Sequence, residues 1–100
     1  MEGKRTRIDI IEDMLSSIIG KGGRIKPTHL MYKSNMSHGQ MKTYLDDLVR
    51  KELVKKVKEG HYDYVIITDK GHEFVQKLKE MREFEKAFGI RGREKPLGKR

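Results

Sequence analysis

Apolar residues recur along this chain at helical spacing in four stretches and at alternating spacing in one. Glycine, proline and small polar residues mark where the period changes. From Thr6 to Gly20, Ile8, Ile11, Leu15 and Ile18 fall on one helical face, with Met14 and Ile19 widening the stripe. Thr6 caps that helix with Asp9 three residues on, and Gly20 to Gly23 end it. Arg24 to Lys26 are extended, because a proline ring disfavours helix at the residue before it. Pro27 opens a short second helix through Ser34, with Leu30 and Met31 inward. The start of the third helix is signalled twice: Ser37 and Gln40 form a capping box, and Met36 and Met41 a hydrophobic staple. In this helix, Ser37 to Lys51, Met41, Tyr44, Leu45 and Leu48 line one face; His38, Gly39, Lys42, Thr43 and Asp46 face outward.

The period then shortens. Leu53 to Lys58 and Tyr62 to Ile67 are β-branched, aromatic-rich runs around Glu59-Gly60, which predicts a hairpin with its tip at Glu59 to His61. Tyr62 and Tyr64 share one strand face and are expected to pack under the hairpin, contact with sugar or base being the alternative. Thr68 caps a last helix and Asp69 suits its dipole. Phe74, Leu78, Met81, Glu85 and Phe88 follow at spacings of 4, 3, 4 and 3, a heptad seam containing one acid. Gly89 ends the helix, and residues 90–100 read as a flexible basic tail. Two helices joined by a tight turn and followed by a β-hairpin make a winged helix-turn-helix. The fold class is therefore α+β, a three-helix core with a β-hairpin wing, followed by a C-terminal helix.

Composition narrows the chemistry. One hundred residues make one domain with a modest core. Cysteine is absent, which removes disulfides, thiolate metal sites and a cysteine nucleophile. His29, His38, His61 and His72 include no i, i+4 pair and adjoin no carboxylate cluster, so neither a metal nor another cofactor is expected. Ser16, Ser17, Ser34 and Ser37 are accounted for by helix propensity or capping, and no glycine elbow surrounds them, so the chain is not expected to be an enzyme. Gly22-Gly23 is followed by no Gly-Lys-Ser/Thr, which excludes a phosphate loop. The first fifteen residues are interrupted by Asp9, Glu12 and Asp13, unlike a secretory segment, and no run approaches the roughly 20 apolar residues of a membrane span. A soluble, cytoplasmic protein is expected, and no small-molecule ligand is evident. The net charge of +8 suits an anionic polymer, nucleic acid above all. Half of it lies in residues 91–100, where five cations meet one acid.

The run Leu30 to Lys56, with Tyr64 to Leu78, resembles the archaeal winged-helix DNA-binding proteins of about ten kilodaltons. The most specific pieces are Met31-Tyr32 before the turn, Asn35 and Ser37, Tyr44, and Thr68-x-Lys70-Gly71. The likeness covers roughly residues 6–85. It implies a homodimer held by an antiparallel coiled coil of C-terminal helices, and a largely sequence-tolerant DNA binder, nucleoid-associated and chromatin-like or a transcriptional regulator. This chain differs in its shorter last helix and basic tail. Arg91-Gly92-Arg93 is similar to a minor-groove arm, although Glu94 stands where proline is expected.

The expected organisation is a DNA-binding winged helix-turn-helix over 6–69, a dimerisation helix over 70–89 and a tail over 90–100. Double-stranded DNA is the expected partner, met by Ser37, His38, Gly39, Gln40, Lys42, Thr43, His61, Arg91 and Arg93. Asp46 and Asp47 argue against deep basic insertion at the helix's far end. Phe74, Leu78, Met81, Glu85 and Phe88 are the expected dimerisation residues, with Lys77, Lys79 or Arg82 approaching Glu85; the alternative is a seam that forms core within one chain. The alternative is a protein–protein adaptor with the same fold and no nucleic-acid binding.

Overall fold

A computed structural model of the chain describes residues 5–89. It runs α1 (Arg7–Gly20), β1 (Arg24–Ile25), α2 (Pro27–Lys33), α3 (His38–Arg50), β2 (Val54–Glu59), β3 (Tyr62–Ile67) and α4 (Asp69–Ala87). Local chemistry fixes where the helices begin. At α1 the Asp9 N–H donates to the Thr6 hydroxyl and the Thr6 N–H to the Asp9 carboxylate, at 3.1 and 3.0 Å. At α3 the same reciprocal pair joins Ser37 and Gln40, at 3.2 and 3.1 Å. Thr68 accepts from the Gly71 N–H and donates its own proton to the Glu52 carbonyl at 2.7 Å, tying the start of α4 to the segment after α3.

Three helices end by one device. The N–H groups of Gly23, Met36 and Leu53 each return to a carbonyl five residues back, on Ile18, Met31 and Leu48. The turn needs a residue of positive φ, supplied by Gly22 (84°), Asn35 (55°) and Glu52 (63°). Glutamate is the strained choice among the three, since only glycine and asparagine visit that region readily.

The three strands form an antiparallel sheet in the order β1-β3-β2. Its inner face, with Ile25, Val54, Val65 and Ile67, closes over Leu30 of α2, Met41, Leu45 and Leu48 of α3, and the buried stripe of α1. That stripe is Ile10, Ile11, Met14, Leu15 and Ile18, with Ile8 and Ile19 exposed. The expectation had it rotated. At about 100° per residue Ile8 and Ile19 lie beyond one edge of the stripe, and Ile10 completes the other.

The first turn of α4 lies hard against the start of β2. A Cβ at Gly71 would collide with the Leu53 carbonyl oxygen and come within 2.7 Å of the Ile67 side chain, so residue 71 must be glycine. Phe74 and Val75 pack against the core and Leu78 is buried. One turn further, Arg82 reaches α1, 3.3 Å from Asp9 and 2.8 Å from Glu12. Arg82 thus meets acids of its own chain on α1. Met81, Phe84 and Phe88 are 47, 59 and 67% exposed, the two rings 4.8 Å apart. Among the described residues, three helices and a three-stranded sheet thus make a winged helix-turn-helix, and α4 follows it as a C-terminal helix.

Tyr62 and Tyr64 do share a strand face, but it is the outer one. Register pairs Tyr64 with Val57 and Tyr62 with Glu59, while the alternate residues Val65 and Ile67 take the core. The rings therefore do not pack beneath the hairpin: Tyr64 is half-buried and Tyr62 exposed, each under a cation from the β1 segment.

Candidate nucleic-acid interface

The capping box at Ser37 sets the first turns of α3, and it also decides which atoms remain available. The Ser37 hydroxyl and the Gln40 side-chain carbonyl both accept within the box, leaving the Gln40 amide group as an outward donor. His38, Gly39, Gln40, Lys42 and Thr43 are all exposed. The Lys42 ammonium, 79% exposed, lies 3.6 Å from Asp46, a loose surface pair. Nothing in the packing requires glycine at 39, because an added Cβ would meet no atom within 4 Å. Glycine inside a helix is less stable than alanine by roughly 0.5–1 kcal/mol, so stability does not explain its presence.

Across from this face stands the wing. Lys56 and Lys58 share the inner face of β2 with Val54, at the end that projects past the core, and Lys58 sits 3.7 Å from Asp63. Between wing and helix lies an open cleft of about 490 Å³. Its helix side is His38, Met41, Lys42, Leu45 and Asp46; its wing side is Lys56, Val57, Lys58, Asp63 and Tyr64. Sequence reasoning did not single out Lys56 and Lys58. Their alternation with Val54 on one strand was the signal that places them on the helix side. His61 is exposed at the hairpin tip, beside Gly60. Arg91 and Arg93 lie outside the described residues.

The far end of α3 has a different construction. Asp47 is buried, and its carboxylate accepts from Lys51 at 2.9 Å to both oxygens, from Arg50 at 2.7 Å and from Arg7 of α1 at 3.1 Å. Hydrogen bonds from Lys51 and then Arg50 hold its pKa down at about 2. Arg7 also lies 5.7 Å over the Tyr44 ring. The expectation that Asp47, together with Asp46, argues against basic insertion at this end is thus corrected for Asp47, which is buried. It is a structural hub, because the side chains of Lys51, Arg50 and, from the start of α1, Arg7 converge on its carboxylate. Of the two acids in α3, Asp46 is the exposed one.

The expected dimerisation residues divide. Leu78 is buried within the chain and Phe74 half-buried against the core; Glu85 is half-buried, and Met81 and Phe88 are exposed. Among the described residues no three His, Cys, Asp or Glu side chains cluster as a metal site would need. No described helix is long and apolar enough to cross a membrane.

A family model described as winged helix-turn-helix matches residues 4–86. No curated protein matches the sequence. Among solved structures, the fold is similar to that of Sso10a-2, a DNA-binding protein from Sulfolobus solfataricus, at TM-score 0.71 and 20% identity, over 84% of this chain and 85% of that one. It is similar to a winged-helix DNA-binding protein from STIV at TM-score 0.69 and 20% identity, over 84 and 95% of the two chains. A MarR family protein from Bacillus stearothermophilus matches at TM-score 0.69 and 17% identity, over 92% of this chain and 64% of that one. At these identities the likeness is one of fold.

Proposed function

The chain belongs to the winged helix-turn-helix family, and on that premise we propose that it binds duplex DNA with the first turns of α3 and the wing. The observation that carries this reading is the open cleft, with Lys42 on one wall and Lys56 and Lys58 on the other. His38, the Gln40 amide and Thr43 are donors or acceptors for base edges or phosphates. Gly39 lets the helix backbone approach closely. Ser37 acts by fixing where the helix starts, and His61 meets the backbone from the wing tip. The role is that of a transcriptional regulator or a nucleoid-associated architectural protein.

A homodimer through α4 completes the reading. Met81, Phe84 and Phe88 leave an apolar face at the end of α4, and each such side chain buried against a second copy contributes on the order of 1.5–3 kcal/mol. Arg91 and Arg93 extend the contact along phosphates.

The test is the salt dependence of affinity for duplex DNA. Three lysines on phosphates give log affinity against log salt a slope of about −2.7 per chain, and the residues 91–100 steepen it by roughly 2–4. A fold that serves only as a protein-docking adaptor gives no binding, or binding without that slope. Either result would overturn the proposal.

A further inference from the structure

The outer face of the sheet is a second surface, turned away from the inner face that carries Lys56 and Lys58. Register puts Lys55, Val57 and Glu59 of β2 on it beside Ile66, Tyr64 and Tyr62 of β3, and Arg24 of β1 joins them opposite Ile66. Two aromatic rings thus stand at successive same-face positions of one strand, about 6.7 Å apart along it. Each carries a cation. The Arg24 guanidinium lies 4.1 Å from the centroid of Tyr64, and the Lys26 ammonium 4.3 Å from that of Tyr62.

Arg24 is held in place. Its two terminal nitrogens donate to the two carboxylate oxygens of Glu59 at 2.7 and 3.2 Å, which fixes the guanidinium over the ring. Tyr62 is the open member of the pair, 56% exposed and covered by a lysine alone. Arg24, Lys26 and Lys55 against Glu59 leave this face with an excess of positive charge. Core packing does not account for it, because the core lies on the other side of the sheet.

We propose that this face binds single-stranded nucleic acid, with bases stacked on Tyr62 and on the Arg24–Tyr64 pair and phosphates along Lys26 and Lys55. Aromatic rings beside cations suit any base, since every base has a flat π-face. Bases in a duplex are already stacked on each other and cannot lie on a sheet. A base on an exposed tyrosine contributes more than an ammonium at the same ring, so Lys26 yields the face of Tyr62 and turns to the phosphate. On Tyr64 the guanidinium stays, offering its own plane to the next base. The duplex-binding face is separate except at Val57 and Tyr64, which also line the cleft. Tyr62 lines no part of it and is the residue that discriminates.

The experiment compares wild type, Tyr62→Ala and His38→Ala/Lys42→Ala. Each is titrated against labelled 12-residue oligothymidine, oligouridine and a random duplex, with polyglutamate as competitor. Tyr62→Ala is expected to lose about tenfold in single-strand affinity while its duplex affinity stays within twofold. The helix variant is expected to show the reverse, so failure on one face is distinguishable from failure on the other. Tyr62→Phe, which keeps the ring, should bind single strands as wild type does. The proposal is overturned by absence of single-strand binding, by an unchanged affinity in Tyr62→Ala, or by full displacement with polyglutamate, which would mean charge alone.

Discussion

At its N-terminal end α3 presents Lys42, 79% exposed and 3.6 Å from Asp46; at its C-terminal end Arg50 and Lys51 close on Asp47 at 2.7 and 2.9 Å. Both ends pair lysine with aspartate across one helical turn. They differ in what lies over them. Nothing covers Lys42 and Asp46, so water screens the pair and the lysine is available to a partner. Asp47 is buried, reached by Arg7 from the start of α1, and its carboxylate is satisfied by three donors. Charge of the same kind stays open to a partner at one end of the helix and serves the fold at the other, and burial decides which.

The strongest way to break that contrast is to remove the buried acid. Asp47→Asn leaves three cations without their anionic partner, and its melting temperature should fall by several degrees, whereas Asp46→Asn should be nearly silent. The sign with pH follows from the lowered pKa. A carboxyl held at about 2 in the fold, against an ordinary 3.8, stabilises at pH above about 4, and that contribution is lost as pH falls towards 2. Melting curves of Asp47→Asn and wild type should therefore differ clearly at pH 7 and converge near pH 2. A difference that persists undiminished at pH 2 would contradict the assignment.

The same contrast recurs in α4, where the first half is core and the last turns are exposed. Leu78→Lys places a charge in the core and should unfold the chain. Met81→Lys with Phe84→Lys touches only exposed positions and should leave the melting temperature close to that of wild type. If the exposed face joins two copies, sedimentation gives a dimer for wild type and a monomer for this variant. A wild-type monomer would sink the dimer and leave the in-chain contrast intact.

What was legible in the sequence is what local geometry decides. Thr6 with Asp9, Ser37 with Gln40, and Thr68 are capping signals within three residues, and each helix starts where they place it. The outward face of α3 was legible as well, because helical periodicity alone sorts Lys42 and Thr43 from Met41 and Leu45. The Asp47 hub was not, since its partner Arg7 is 40 residues away and only the tertiary fold brings it there. Alternation told that Tyr62 and Tyr64 share a face without telling which. The answer depended on Val65 and Ile67 claiming the core. Heptad spacing likewise grouped Leu78 with Met81 and Phe88, but spacing does not reveal what covers a face. The chain's own α1 and sheet cover the first part and leave the rest exposed.

The most direct test of the two-ended helix measures duplex affinity and stability together in two double variants. His38→Ala/Lys42→Ala alters the exposed end without touching the capping box, and Arg50→Ala/Lys51→Ala strips the buried acid of two donors. The first should weaken duplex binding by about tenfold or more with an unchanged melting temperature. The second should lower the melting temperature and, at a temperature where it is fully folded, bind duplex within about twofold of wild type. If the first variant binds as wild type does while the second loses its affinity, the roles of the two ends are reversed and the account is wrong.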